Sequence, residues 1–202
     1  YAGILANIKG GDHIVSVDKP YSWVQKIFDN LLPRFGVETT YIDGTRPENF
    51  ERALRSNTRF IYLESPNSWT FAIQDIEAVT RLAKKHGIIT LIDNTYCTPL
   101  NQLPVSLGVD LCMQTATKYI GGHSDTLGGI LTGSKTMMKK IFDNEYMAIG
   151  SGIQPFNAWL LIRGLRTLES RISRITESTW KLLEWLKKDP AVERVLFPLD
   201  VD

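Results

Sequence analysis

The sequence predicts an α/β protein, a three-layer arrangement around a mainly parallel sheet. Two observations lead there. Short apolar runs of strand length alternate with amphipathic helical runs over roughly the first 150 residues. The connections between them are short, which requires right-handed crossovers and a sheet covered on both faces. Ligands in such sheets sit beyond the carboxyl ends of the strands. Glu64, Asp93 and Lys118 each lie at or just after a predicted strand end, so one rim is expected to carry all three.

Taken in order, Tyr1 to Lys9 reads as the latter half of a helix, stopped at Gly10-Gly11. Ile14–Asp18 is a buried strand ending at a Lys-Pro turn. Tyr21 to Phe35 is helical, with Trp23, Ile27 and Leu31, and also Val24, Phe28 and Leu32, recurring at intervals of four. Val37–Ile42 is a strand, Pro47–Leu54 a helix with Pro47 near its first position, and Arg59–Leu63 a strand. Ile73–His86 is an amphipathic helix closed by Gly87. Ile88–Asp93 is the most apolar strand. Leu111 onward forms a strand entering the lysine turn, Gly128–Gly133 a second short strand, and Lys135–Asn144 a helix. Gln154–Glu169 and Ile172–Lys188 read as helices, and Asp189–Pro198 as the first strand of a smaller domain. Arg163, Arg166, Arg171 and Arg174 are expected to be solvated or paired to carboxylates.

Composition narrows the function classes. A chain of 202 residues with formal net charge +1 carries no strong field for nucleic acid or an acidic membrane surface. Cys97 and Cys112 are the only cysteines, too few for a disulfide framework and suited to a reducing compartment. No run approaches the roughly 18 apolar residues of a membrane span. The expectation is a soluble, cytoplasmic protein. Three scattered histidines and two separated cysteines offer no metal-ligand spacing, so no metal is expected. The glycine-rich turns match neither nucleotide-binding pattern.

The candidate chemistry centres on Lys118, flanked by Thr115 and Thr117 and followed by Gly121, Gly122, His123, Ser124 and Asp125. A lysine so placed suits a Schiff base, with the hydroxyls available to a phosphate; a solvated surface lysine is the plain alternative. Asp93 closes an apolar strand, where burial raises a carboxylate's pKa unless a cation, such as a protonated pyridine nitrogen, meets it. It could equally cap the turn Asp93-Asn-Thr. Tyr21 follows Pro20 at a strand-to-helix junction, suited to stacking on a flat cofactor or to ordinary packing. His123 is a candidate general base, or a structural residue holding its turn.

Together, Glu64-Ser-Pro, Asp93-Asn-Thr-Tyr-Cys-Thr-Pro99, Ala116-Thr-Lys118-Tyr with Gly122-His-Ser-Asp125, and Arg163-Gly-Leu-Arg-Thr-Leu168 resemble the Cys/Met-metabolism family of pyridoxal 5′-phosphate (PLP) enzymes. The resemblance extends over essentially the whole chain. It implies the large domain of fold-type I and a Lys118 internal aldimine, with Asp93 on the pyridine nitrogen and Tyr21 stacked on the ring and helping to activate the incoming amine. Thr115 and Thr117 would hold the phosphate. Ser68 stands where many relatives have an asparagine that contacts the cofactor's 3′-oxygen; with Gln114 it looks more like bacterial cystathionine β-lyases. Trp23 stands where methionine γ-lyases place a cysteine, whereas the Asp93–Pro99 run also occurs in γ-lyases.

The implied activity is a C–S lyase converting cystathionine to homocysteine, pyruvate and ammonia. Cystathionine γ-lyase or γ-synthase, methionine γ-lyase and O-acylhomoserine sulfhydrylase are alternatives, and a non-catalytic oligomerising fold is another. Partners would be a small sulfur amino acid and further copies of the chain, with a dimer as the active unit within a tetramer. Residues 1–150 are expected to form the PLP-binding domain, 151–188 linking helices, and 189–202 the start of a C-terminal domain. Both ends read as cut within a longer chain. The resemblance places the phosphate loop and N-terminal arm before Tyr1, and the arginine for the substrate carboxylate after Asp202.

Overall fold

The computed structural model describes residues 1–150 and 152–199. Two compact units emerge, Tyr1–Gln114 with Ile130–Gly152, and Thr115–Gly129 with the described residues from Ile153 onward.

The first unit opens with α1 (Ala2–Leu5), which turns through Gly11 into β1 (His13–Val17). Gly11 has φ of +87°, a conformation that L side chains avoid. Helix α2 (Ser22–Lys26) then begins a run of three windings: residues 27–31 are wider than an α-helix and residues 32–35 tighter. One regular helix was expected over Tyr21–Phe35. Pro33 has no amide hydrogen to donate, so the last turn tightens around it and stops at Gly36 in the left-handed region. Val24, Ile27, Phe28 and Leu32 are buried, as the spacing predicts. Trp23 instead faces solvent, with the Lys26 ammonium 4.1 Å from its ring centroid.

Next come β2 (Glu38–Ile42), α3 (Pro47–Ala53), β3 (Thr58–Glu64) and α4 (Ile76–His86). Helix α4 begins later than its hydrophobic pattern does, because the Asp75 side chain accepts from Ala78 N and sets the cap. Gly87, at φ +63°, ends it. Then follow β4 (Ile89–Asp93), α5 (Thr98–Asn101), β5 (Leu111–Thr115), β6 (Gly129–Gly133), α6 (Lys135–Ile141) and α7 (Met147–Ile149).

The six strands lie in the order β2-β1-β3-β4-β5-β6, and the β1–β2, β1–β3, β3–β4 and β4–β5 pairs are all parallel. This is the mostly parallel α/β sheet that the alternation predicts. Strand order reverses between β1 and β3, so the crevice at their carboxyl ends is the topological switch point. Ile14, Val15, Ile61, Leu63 and Ile92 are fully buried at the centre of the sheet. Burial of each such side chain stabilises the fold by about 1.5–3 kcal/mol.

The opposite end of the same strands is stapled by His13. Its Nδ1 is 2.8 Å from Thr58 Oγ1 on β3, and its Nε2 is 2.8 Å from Thr40 Oγ1 on β2. Arg55 adds bonds to Thr40 Oγ1 and Glu38 Oε2. Burial, then the Arg55 cation, lowers the His13 pKa, and Glu38 opposes them. The unfolded chain therefore takes up a proton near pH 6.5 that the folded chain resists. Stability should be fully present above that pH and fall on acidification. His13→Asn should flatten this part of the urea-unfolding profile between about pH 5 and 7 relative to the unsubstituted chain.

In the second unit the lysine turn, residues 116–128, accompanies α8 (Pro155–Leu165) and α9 (Leu168–Leu186). The break between the helices falls at Arg166–Thr167, where Thr167 Oγ1 donates to Gly164 O. Residues 189–199 form no strand, correcting the strand expected there. Asp189 draws the chain into a turn by accepting from Ala191 N and Val192 N, and Phe197 packs edge-on against Trp180 of α9. Of the domain start expected over 189–202, residues 200–202 lie outside the described residues.

Candidate active site

At the carboxyl rim of the first unit, Tyr21, Ser68, Glu64 and Asp93 come together. Tyr21 sits on the turn after β1, where its backbone carbonyl begins α2, and is 42% exposed. Its amide donates to Glu64 Oε2 at 2.9 Å. Glu64 is the last residue of β3 and is buried. Its other oxygen, Oε1, accepts from Ser68 N at 2.8 Å and from the Ser68 hydroxyl. Asp93, the last residue of β4, is Glu64's register partner and is 9% exposed. Its Oδ1 accepts from Thr95 N at 2.9 Å, so the turn-capping role is present. Asn94 continues the turn: its amide donates to Met113 O of β5, and its side chain bonds Gln102.

The electrostatics of this rim are negative. Burial raises the Glu64 pKa; bonds from Ser68 and Tyr21 oppose it, and the Asp93 charge reinforces it. Burial, with the Asp93 and Glu64 carboxylates, holds the Tyr62 phenol far above its ordinary value. A cation bound here, such as a protonated ring nitrogen, would relieve that strain.

In the second unit, Lys118 follows β5 by three residues and is exposed. The turn that presents it is closed by Gly121 N on Ala116 O and Gly122 N on Lys118 O. Thr115 and Thr117 both donate to Gly128 O at 3.3 Å, and Thr117 Oγ1 also accepts from Gly128 N. These long bonds bring the two hydroxyls to one place on the turn. His123 Nδ1 lies 2.8 Å from Gly121 O, a contact that holds the turn. Asp125 pairs with Arg163.

Two structural features were not legible in the motifs. Arg171, expected to be solvated or paired to an acid, forks instead onto Tyr119 O at 2.6 Å and Gly164 O at 2.9 Å, tying the residue after Lys118 to the helices. Gly164 lets α8 approach that turn: a Cβ there would stand 2.3 Å from Gly121 O and 2.4 Å from Ile120 O. Arginine spacing along a helix carries no such information, because both acceptors are backbone carbonyls outside the arginine's own helix.

The donor set fits PLP. The second unit carries an exposed amine preceded by two hydroxyls, of the kinds its aldehyde and phosphate need, and the first carries an exposed tyrosine and a nearly buried carboxylate, of the kinds its ring face and ring nitrogen need. Among the described residues no group of His, Cys, Asp or Glu side chains could hold a metal ion, and no helix is long and apolar enough to cross a membrane.

Comparison with known proteins agrees. The family model described as Cys/Met metabolism PLP-dependent enzyme matches residues 1–201. Cystathionine beta-lyase MetC of Bacillus subtilis is 37% identical over 93% of this chain and 48% of its own length. L-methionine gamma-lyase of Porphyromonas gingivalis is 38% identical over 98% of this chain and 50% of its own. The crystal structure of cystathionine gamma-lyase from Lactobacillus plantarum complexed with L-serine superposes with a TM-score of 0.95 at 34% identity, covering 99% of this chain and 52% of that one. The chain thus spans about half the length of the relatives it matches. With that span, the chain belongs to the Cys/Met-metabolism family of PLP-dependent enzymes.

Proposed function

We propose that the protein containing this chain is a PLP-dependent C–S lyase that cleaves cystathionine by β-elimination. The observation that carries the lyase reading is the exposed Lys118, presented directly after Thr115 and Thr117 on a bonded turn. When bound, PLP supplies an electron sink for the carbanion formed at the substrate's Cα. Lys118 would hold the cofactor covalently, and its amine is the group that would carry the substrate's Cα proton. Asp93 would pair with the ring nitrogen, Tyr21 would supply the stacking ring, and Thr115 and Thr117 would supply hydroxyls for the phosphate. Ser68 would stand beside the ring's oxygen. Loss of the Cα proton and cleavage of the Cβ–S bond release homocysteine as the protonated thiol. Hydrolysis of the remaining three-carbon enamine gives pyruvate and ammonia.

Ser68, with Gln114, favours β- over γ-elimination by resemblance to bacterial β-lyases. The Asp93–Pro99 run and the equally similar γ-lyase relatives favour the second reading, γ-elimination. The proposal extends to a dimeric active unit within a cytoplasmic tetramer. It also takes residues 1–150 as part of the PLP-binding domain, 151–188 as linking helices, and 189–202 as the start of a second domain. The test is product analysis of the PLP-loaded protein given L-cystathionine. Pyruvate with homocysteine is the expected outcome; 2-oxobutyrate with cysteine would move the reaction to γ-elimination. A protein that takes up no PLP would leave only an oligomerising fold.

A further inference from the structure

Glu64 is a buried carboxylate to which the proposed chemistry gives no task. Its two oxygens face two different connections at the switch point. Oε2 takes the Tyr21 amide from the turn after β1, and Oε1 takes the amide and hydroxyl of Ser68 from the loop after β3. Three donors thus occupy an acid that is 3% exposed, which leaves it poorly placed to exchange protons with a substrate. Its backbone is fixed as well: Glu64 N donates to Gln74 Oε1 at 3.2 Å, and its register partner is Asp93. A polar group this desolvated is retained at a cost, and each donor would be left unpaired without it.

We propose that Glu64 is a positioning residue for the cofactor, its carboxylate bridging the two connections so that Tyr21 and Ser68 are held at set places beside Asp93. The inference rests on the PLP reading above. Only an ionised carboxylate offers two acceptors with no donor. A glutamine in its place keeps one acceptor and presents an N–H₂ to an N–H, so one of the two amides loses its partner.

Amide hydrogen exchange in the cofactor-free protein and PLP titration by visible absorbance test this together. In Glu64→Gln, either the Tyr21 or the Ser68 amide should exchange at least about tenfold faster, while the β3 and β4 amides keep their protection. PLP should bind about tenfold to a hundredfold more weakly, with a displaced absorbance band. If Glu64→Gln does not fold, Glu64→Asp serves: it keeps the charge but withdraws the oxygens by one methylene, and the same pair of changes is expected. Unchanged exchange at both amides would overturn the bridge. Faster exchange with unaltered PLP affinity and band would make Glu64 a purely structural acid and overturn its positioning role. Absence of any band in the unsubstituted protein would instead overturn the cofactor reading, while the exchange result would still decide the bridge.

Discussion

Lys118→Ala should abolish the visible absorbance that the protein gains with PLP, and with it the release of pyruvate. The lysine is exposed and its turn is closed by backbone bonds from Gly121 and Gly122 and by Thr117, none of which uses the amine. Stability should therefore change by no more than about 0.5 kcal/mol, as for other surface substitutions. Turnover should fall at least about 10²–10⁴-fold, the range for losing a positioned general base, and further for losing the covalent anchor. Far-ultraviolet circular dichroism, an absorbance spectrum and a product assay on one preparation separate the two effects. A retained band in the alanine variant would show that another amine holds the cofactor and sink the assignment.

Gly164→Ala is expected to destabilise the second unit, against its intrinsic preference. In an exposed helix, alanine would gain about 1 kcal/mol over glycine. Here the added methyl would meet Gly121 O and Ile120 O at 2.3 and 2.4 Å, below the 3.0 Å that real Cβ atoms essentially never breach. Both obstacles are backbone, so no side-chain rotation relieves them. Overpacking of this kind costs about 1–3 kcal/mol. Because Arg171 bonds Gly164 O and Tyr119 O together, α8 cannot shift without drawing on the residue next to Lys118. Weaker PLP binding should accompany the lost stability in urea unfolding. A variant more stable than the parent would mean that helix propensity outweighs the contact, and that α8 stands further from the turn.

Ser68 and Trp23 illustrate how far local motifs reach. That Ser68 stands beside the rim followed from its place after Glu64-Ser-Pro. That its hydroxyl is committed to Glu64 did not, because the bond depends on the course of the loop through residues 65–75. Trp23 falls on an interval-of-four pattern and still faces water in the first turn of α2, while Ile27, four residues on in the same stripe, is buried. His13 is the same case in the sheet: nothing beside it in sequence announces Thr40 or Thr58 as partners.

The alternation of strand and helix, the strand-terminal positions of Glu64 and Asp93, and the family motifs around Lys118 were determined by sequence alone. Each depends on periodicity, turn chemistry or residue order, which are properties of neighbours along the chain. Only the tertiary structure decided that Glu64 bridges Tyr21 and Ser68, that Arg171 holds Tyr119, and that Gly164 must lack a side chain. Those depend on which backbone atoms, distant in sequence, are brought within bonding or clashing distance. A buried donor or acceptor is satisfied wherever packing places its partner.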